Sequence, residues 1–151
     1  GVSHNIIVFL SIHWCFVGFA LSSGIDEPWK NINLSIFALG INFLLFSLEI
    51  ARKIRLPEFE RDLVDTYSKI IGYKASALLV IILQSIGLIM LAICLSDLGI
   101  YHWSGIIFIF AIVIGMLINF IRKPDENTAE KLMKPCALTL MAALFIIILN
   151  V

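Results

Sequence analysis

Five apolar runs, each about as long as a membrane is thick, decide what this chain can fold into. They fall at residues 5–22, 32–50, 74–96, 104–121 and 135–151. A helix rising about 1.5 Å per residue needs roughly 20 residues to cross the hydrocarbon core, and each run is near that length. The interiors of the first, third, fourth and fifth runs hold no charged residue. Strands are excluded: there is no alternating ten-residue pattern, and backbone groups in lipid must be satisfied within each segment. With 15% charged residues the chain also falls well below the roughly 25% of a soluble domain. The expected fold class is therefore an all-α integral membrane protein with five transmembrane helices, in one membrane domain covering residues 1–151.

The loops alternate between two sides. Residues 51–73 and 122–134, with Lys74 at the edge, hold Arg52, Lys53, Arg55, Arg61, Lys69, Lys74, Arg122, Lys123, Lys131 and Lys134. The opposite loops, 23–31 and 97–103, hold Lys30 alone. Ten of the eleven Lys and Arg residues on one side is a strong positive-inside signal, so the long charged loop is expected in the cytoplasm. Trp29, Tyr101 and Trp103 then fall at the other boundary, as an aromatic belt would. A multi-pass protein of the cell (inner) membrane follows. The formal net charge of zero leaves no bulk basic footprint for nucleic acid.

Against this oil stands LEIARKIRLPEFERDLVDTYSKIIG, which begins at Leu48. Glu49 closes the second run. Asn42, seven residues earlier, and Lys53, four later, share its helical face, and Arg52 adjoins it. A carboxylate this near the membrane is costly unless paired, solvated or used. Pro57 breaks the helix. Glu58, Glu60, Asp62 and Asp65 follow, dense enough to hold a divalent cation through oxygen ligands. Interleaved Arg and Lys could then grip phosphate oxygens beside the metal. The alternative is an ordinary i, i+4 ion pair followed by a solvated loop of mixed charge.

The same stretch resembles the second carboxylate-rich motif of the UbiA superfamily of intramembrane prenyltransferases, in the form EIARKIR, PE, VDTYSK and a closing Gly found in one bacterial subgroup. In that family a helix ends in an acid, a short loop supplies more acids, and a Thr-containing segment ending in Gly leads into the next helix. Glu49 stands at the helix end, Glu58 and Glu60 near the loop acids, and DTYSKIIG at the closing segment. The family has nine helices in two related halves, each with one acid-rich cytoplasmic loop. The resemblance implies that these five runs are helices five to nine. NTAEKLMKP also resembles the lead into the family's last helix. The family's first acid-rich motif has no counterpart here, and the chain opens on Gly1 rather than Met. The expectation is that the N-terminal half lies upstream and that this part alone is inactive.

The resemblance implies Mg²⁺-dependent transfer of an isoprenyl group from an isoprenyl diphosphate donor to an aromatic or lipid acceptor within the bilayer. It implies Glu49, Glu58 and Asp62 as metal-linked carboxylates and Asp65 as a further catalytic acid. Arg52, Lys53 and Lys69 would bind diphosphate, and Asn42 and Tyr67 would belong to the cavity. Arg55 and Arg61 would serve orientation or ion pairing.

Gln84 and His13 are polar positions within apolar runs, suited to hydrogen bonds between helices. Gly40, Gly87 and Gly115 are expected at close helix contacts. Asn127 with Glu130 offers a cap for the lead into the last helix. Cys15, Cys94 and Cys136 sit singly in apolar sequence, with no metal-ligand spacing. Two other function classes are open: a transporter subunit or channel accessory, which would place acids deep in its spans, and a non-enzymatic membrane scaffold whose charged loop docks a partner.

Overall fold

A computed structural model describes residues 2–60, 66–95 and 100–150, and every regular element among them is helical. The helices are α1 (Val2–Ser22), α2 (Ile32–Arg52), α3 (Tyr67–Ile71), α4 (Tyr73–Cys94), α5 (Ile100–Arg122), α6 (Glu126–Lys131) and α7 (Met133–Asn150). Short 3₁₀ turns at Pro28–Lys30 and Pro57–Phe59 begin on prolines, whose fixed φ suits a first helical position. The five expected runs correspond to α1, α2, α4, α5 and α7. Among the described residues, Ile32–Arg52, Tyr73–Cys94 and Trp103–Arg122 are long and apolar enough to cross a membrane, and Ile7–Ser22 is apolar but shorter.

Local chemistry sets the helix ends. Asn31 caps α2 by accepting from the Leu34 amide at 3.1 Å. Asp125, rather than Asn127 with Glu130, caps α6 by accepting from the Thr128 amide. Thr66 caps α3 through the Lys69 amide. Gly72, with φ 85° and ψ 151°, then separates α3 from α4 in a region that is essentially glycine-only.

The antiparallel pair of α2 and α4 forms the centre of the bundle. Gly40 and Gly87 face each other where the two helices cross, and a Cβ on Gly87 would lie 2.8 Å from the Gly40 carbonyl oxygen. Small residues here let the backbones approach closely. Gly115 is different: a Cβ there would meet nothing within 4 Å, so it faces open space rather than a helix contact.

Two buried clusters sort the helices by end. Ile50, Ala51, Ile54, Ala77, Val80, Leu117, Phe120, Leu132 and Cys136 pack together at the ends of α2 and α5 and the beginnings of α4 and α7. Ile41, Leu44, Leu91, Ile106, Leu140 and Ala143 pack at the other end. The Lys- and Arg-rich connections thus gather at the first end. α1 lies antiparallel against α2, with Phe9 meeting Phe43 and Phe46, and Phe16 meeting Phe37. Outward positions remain apolar: Trp14, Phe19, Ile89, Phe108 and Leu138 are all exposed. Such a surface suits a hydrocarbon solvent, because in water it would form the large apolar patches that drive association.

Candidate functional site

At the charged end of α2, Glu49 is gripped from both sides. Arg52 donates to it through Nε at 3.1 Å and Nη2 at 2.9 Å, and Lys53 Nζ stands 2.6 Å from Oε1. The i+3 and i+4 spacings put both cations on the face of Glu49. This is the helix ion pair that the sequence offered as the alternative to a metal-linked Glu49, and the forked Arg geometry is the one that suits a carboxylate or a phosphate.

Below this rim, α1 and α2 line a half-open cavity of about 480 Å³, within the range of small-molecule sites. Its walls are mostly apolar: Val8, Phe9 and Ile12 from α1, Leu45, Phe46 and Leu48 from α2, and Met133 from α7. Among the described residues, three polar ones line it, Asn42, Glu49 and Arg52. The shared face of Asn42 and Glu49 therefore opens on one cavity. Asn42 is 1% exposed, and neither its amide nitrogen nor its amide oxygen has a hydrogen-bond partner among the described residues. Tyr67 does not line the cavity but sits directly behind it, its ring edge-on to Phe46 at 6.0 Å.

The rest of the charged stretch forms a polar clasp that spacing alone did not reveal. Glu60 accepts from the hydroxyls of Thr66, at 2.7 Å, and Ser68. Ser68 Oγ also accepts from the Arg55 amide at 3.0 Å and lies 3.3 Å from the Lys53 carbonyl oxygen. Thr66 and Ser68 are buried. One carboxylate and two hydroxyls thus tie the start of α3 back to the end of α2. The sequence signal for this was the run of short hydroxyl side chains in DTYS, opposite an acid six residues earlier. The pairing itself depends on the chain folding back.

The remaining candidates are distributed around this core. Glu58 is exposed on the Pro57–Phe59 turn, and Lys69 is exposed on α3. Asp62 and Asp65, with Arg61, lie outside the described residues. Magnesium can be tested against what is present. Among the described residues Glu49 is the one carboxylate that lines the cavity, and both its oxygens are engaged by Arg52 and Lys53. No three of His, Cys, Asp and Glu among the described residues come together, though magnesium beside a phosphate substrate uses only one or two carboxylates. As placed, Glu49 is occupied by its own cations and would hold a metal only by releasing them. What the arrangement offers is an apolar chamber with a forked cation at its mouth, chemistry for an anionic head on an apolar body.

No family model matches the chain. No curated protein matches it, and neither does any solved structure.

Proposed function

We propose that this chain is an integral membrane protein whose five long helices span the bilayer, and that it supplies helices five to nine of a UbiA-like prenyltransferase. The charged end would face the cytoplasm. The observation that carries the proposal is the cavity between α1 and α2, with apolar walls and with Arg52 and Glu49 at its rim. An isoprenyl diphosphate has the matching form, a hydrocarbon chain ending in a multiply charged head. The motif from Glu49 to Gly72 supports the same substrate.

In this proposal the guanidinium of Arg52 turns from Glu49 to the diphosphate and orients it, with Lys53 and Lys69 adding positive charge as the head leaves. The allylic C–O bond breaks with its electron pair passing to the leaving pyrophosphate. The acceptor then bonds to the allylic carbon and loses a proton. Phe9, Ile12, Leu45 and Phe46 would keep water, a competing nucleophile, away from the cation. Aromatic and lipid acceptors both fit this scheme. Magnesium is assigned to none of the described residues.

A non-enzymatic scaffold is the second proposal, and one observation favours it: Glu49 is fully engaged by its own helix neighbours. Membranes containing the full-length protein, given labelled farnesyl diphosphate, Mg²⁺ and a panel of aromatic and lipid acceptors, separate the two. Prenylated product that falls about 100-fold in Arg52→Ala supports the transferase, by the scale of lost charge stabilisation at other active sites. Absence of product with every acceptor leaves the scaffold.

A further inference from the structure

Arg52 has a forked edge, Nε and Nη2, and that edge is already filled. Glu49 Oε2 accepts from Nε at 3.1 Å, both Glu49 oxygens accept from Nη2 at 2.9 Å, and Lys53 Nζ stands 2.6 Å from Oε1. This edge is the seat that a phosphate or carboxylate ligand would take on a guanidinium. Here it holds a carboxylate of the same chain. The trio is also accessible to an incoming molecule. The side chains of Arg52, Glu49 and Lys53 are 57%, 30% and 24% exposed, and Arg52 and Glu49 line the cavity.

Charge counting gives the consequence. Two cations and one carboxylate leave a single net positive charge in the trio, and a neutral residue at position 49 would leave two. An anionic head therefore meets a half-neutralised rim and gains the fork only by displacing Glu49. Displacement is feasible, because partly exposed ion pairs are weak. It is also opposed, because Glu49 is tethered to the same helix and competes as an intramolecular ligand. Two unguarded cations above an apolar chamber would suit any anionic amphiphile, and membrane surfaces supply anionic lipid in abundance.

We propose that Glu49 is a built-in counter-ion that restrains anion binding at the mouth of the cavity, so that an amphiphilic phosphate binds there by exchange with Glu49 rather than by simple addition. The inference rests on the Arg52 seat of the prenyl-transfer proposal and adds what regulates it. Its direction is the reverse of a metal-linked role, in which neutralising Glu49 would weaken binding.

The test uses the full chain in zwitterionic nanodiscs free of divalent cations, with dodecyl phosphate and uncharged dodecanol as probes. Glu49→Gln and Glu49→Ala should each bind dodecyl phosphate about tenfold more tightly than the native chain, the scale of one charge contact at a partly exposed site. Glu49→Asp, which keeps the charge, should bind it less tightly than either. Dodecanol should not separate the variants. In a chain that also carries Arg52→Gln and Lys53→Gln, the gain from Glu49→Gln should shrink to about twofold or less, because the cations it would release are gone. Phosphatidylglycerol added to the disc separates the sources of phosphate. The advantage of Glu49→Gln shrinks where lipid heads reach the seat and persists where only a free phosphate does, and both results uphold the exchange. Unchanged or weaker dodecyl phosphate binding in Glu49→Gln, an equal gain for dodecanol, or a full gain without Arg52 and Lys53 would each overturn the assignment. Exchange at Arg52 in a protein that yields no prenylated product supports the counter-ion and sinks the transferase. Product from a chain whose Glu49→Gln variant binds the phosphate no better keeps the transferase and sinks the counter-ion.

Discussion

Gly87 faces the Gly40 carbonyl so closely that a Cβ at position 87 would lie 2.8 Å from that oxygen and 3.0 Å from Leu44 Cγ. The obstacle is backbone, which cannot swing aside as a flexible side chain can. The α2–α4 pair must therefore separate to admit a methyl group. Gly87→Ala is expected to destabilise the protein by about 1–3 kcal/mol, the usual cost of overpacking. Gly115→Ala, with nothing within 4 Å of its Cβ, should instead be neutral or stabilising by up to about 1 kcal/mol, through helix propensity. Unfolding in mixed detergent micelles compares the two, and equal effects would refute the close crossing.

Glu60 should behave as a structural tie. Replacing it with Ala leaves the hydroxyls of Thr66 and Ser68 without their carboxylate. A loss of about 1.5–3 kcal/mol is expected for bonds to a charged group. The local signature is specific: amide exchange at Arg55 and Lys69 should accelerate, because their N–H groups donate to Ser68 Oγ and Thr66 Oγ1. Unchanged protection at both amides would rule out the clasp.

Glu49→Gln should hardly alter stability. Its partner Arg52 is 57% exposed, and ion pairs of this kind contribute about 0–1 kcal/mol. A shift in unfolding free energy above about 2 kcal/mol, well beyond that range, would mean that Glu49 is a structural keystone. A small shift combined with lost prenyl transfer would assign the carboxylate to function.

Gly72→Ala tests the junction between α3 and α4. At φ 85° and ψ 151° a Cβ is strained even though no atom stands within 4 Å of it. A destabilisation of about 1–3 kcal/mol is expected from the backbone alone. Equilibrium unfolding measures it, and a neutral result would place Gly72 in another conformation.

The long helices were legible because hydropathy over about 20 residues is a summed signal that single residues cannot hide. The Glu49, Arg52 and Lys53 cluster was legible because helical spacing alone places those side chains together. Asn42 was legible as a neighbour of Glu49 for the same reason, while its lack of a partner was not. The short helices α3 and α6 are not legible in the sequence, since five or six residues carry too little periodicity. Glu58 and Glu60 are indistinguishable as loop acids in the sequence. Only the return of Thr66 and Ser68 to the end of α2 sets them apart. Gly115 illustrates the opposite error: a small residue in an apolar helix marks a close contact only where another helix crosses.

The bond from Glu60 to Thr66 has one more consequence. It fastens together the two ends of the five-residue segment 61–65, and Ser68 moors that knot to the last turn of α2. The described residues on either side are thereby coupled, so that a pull on the start of α3 is felt at the end of α2. The charged stretch thus works like a buckle between two helices, passing strain across side chains rather than along the backbone.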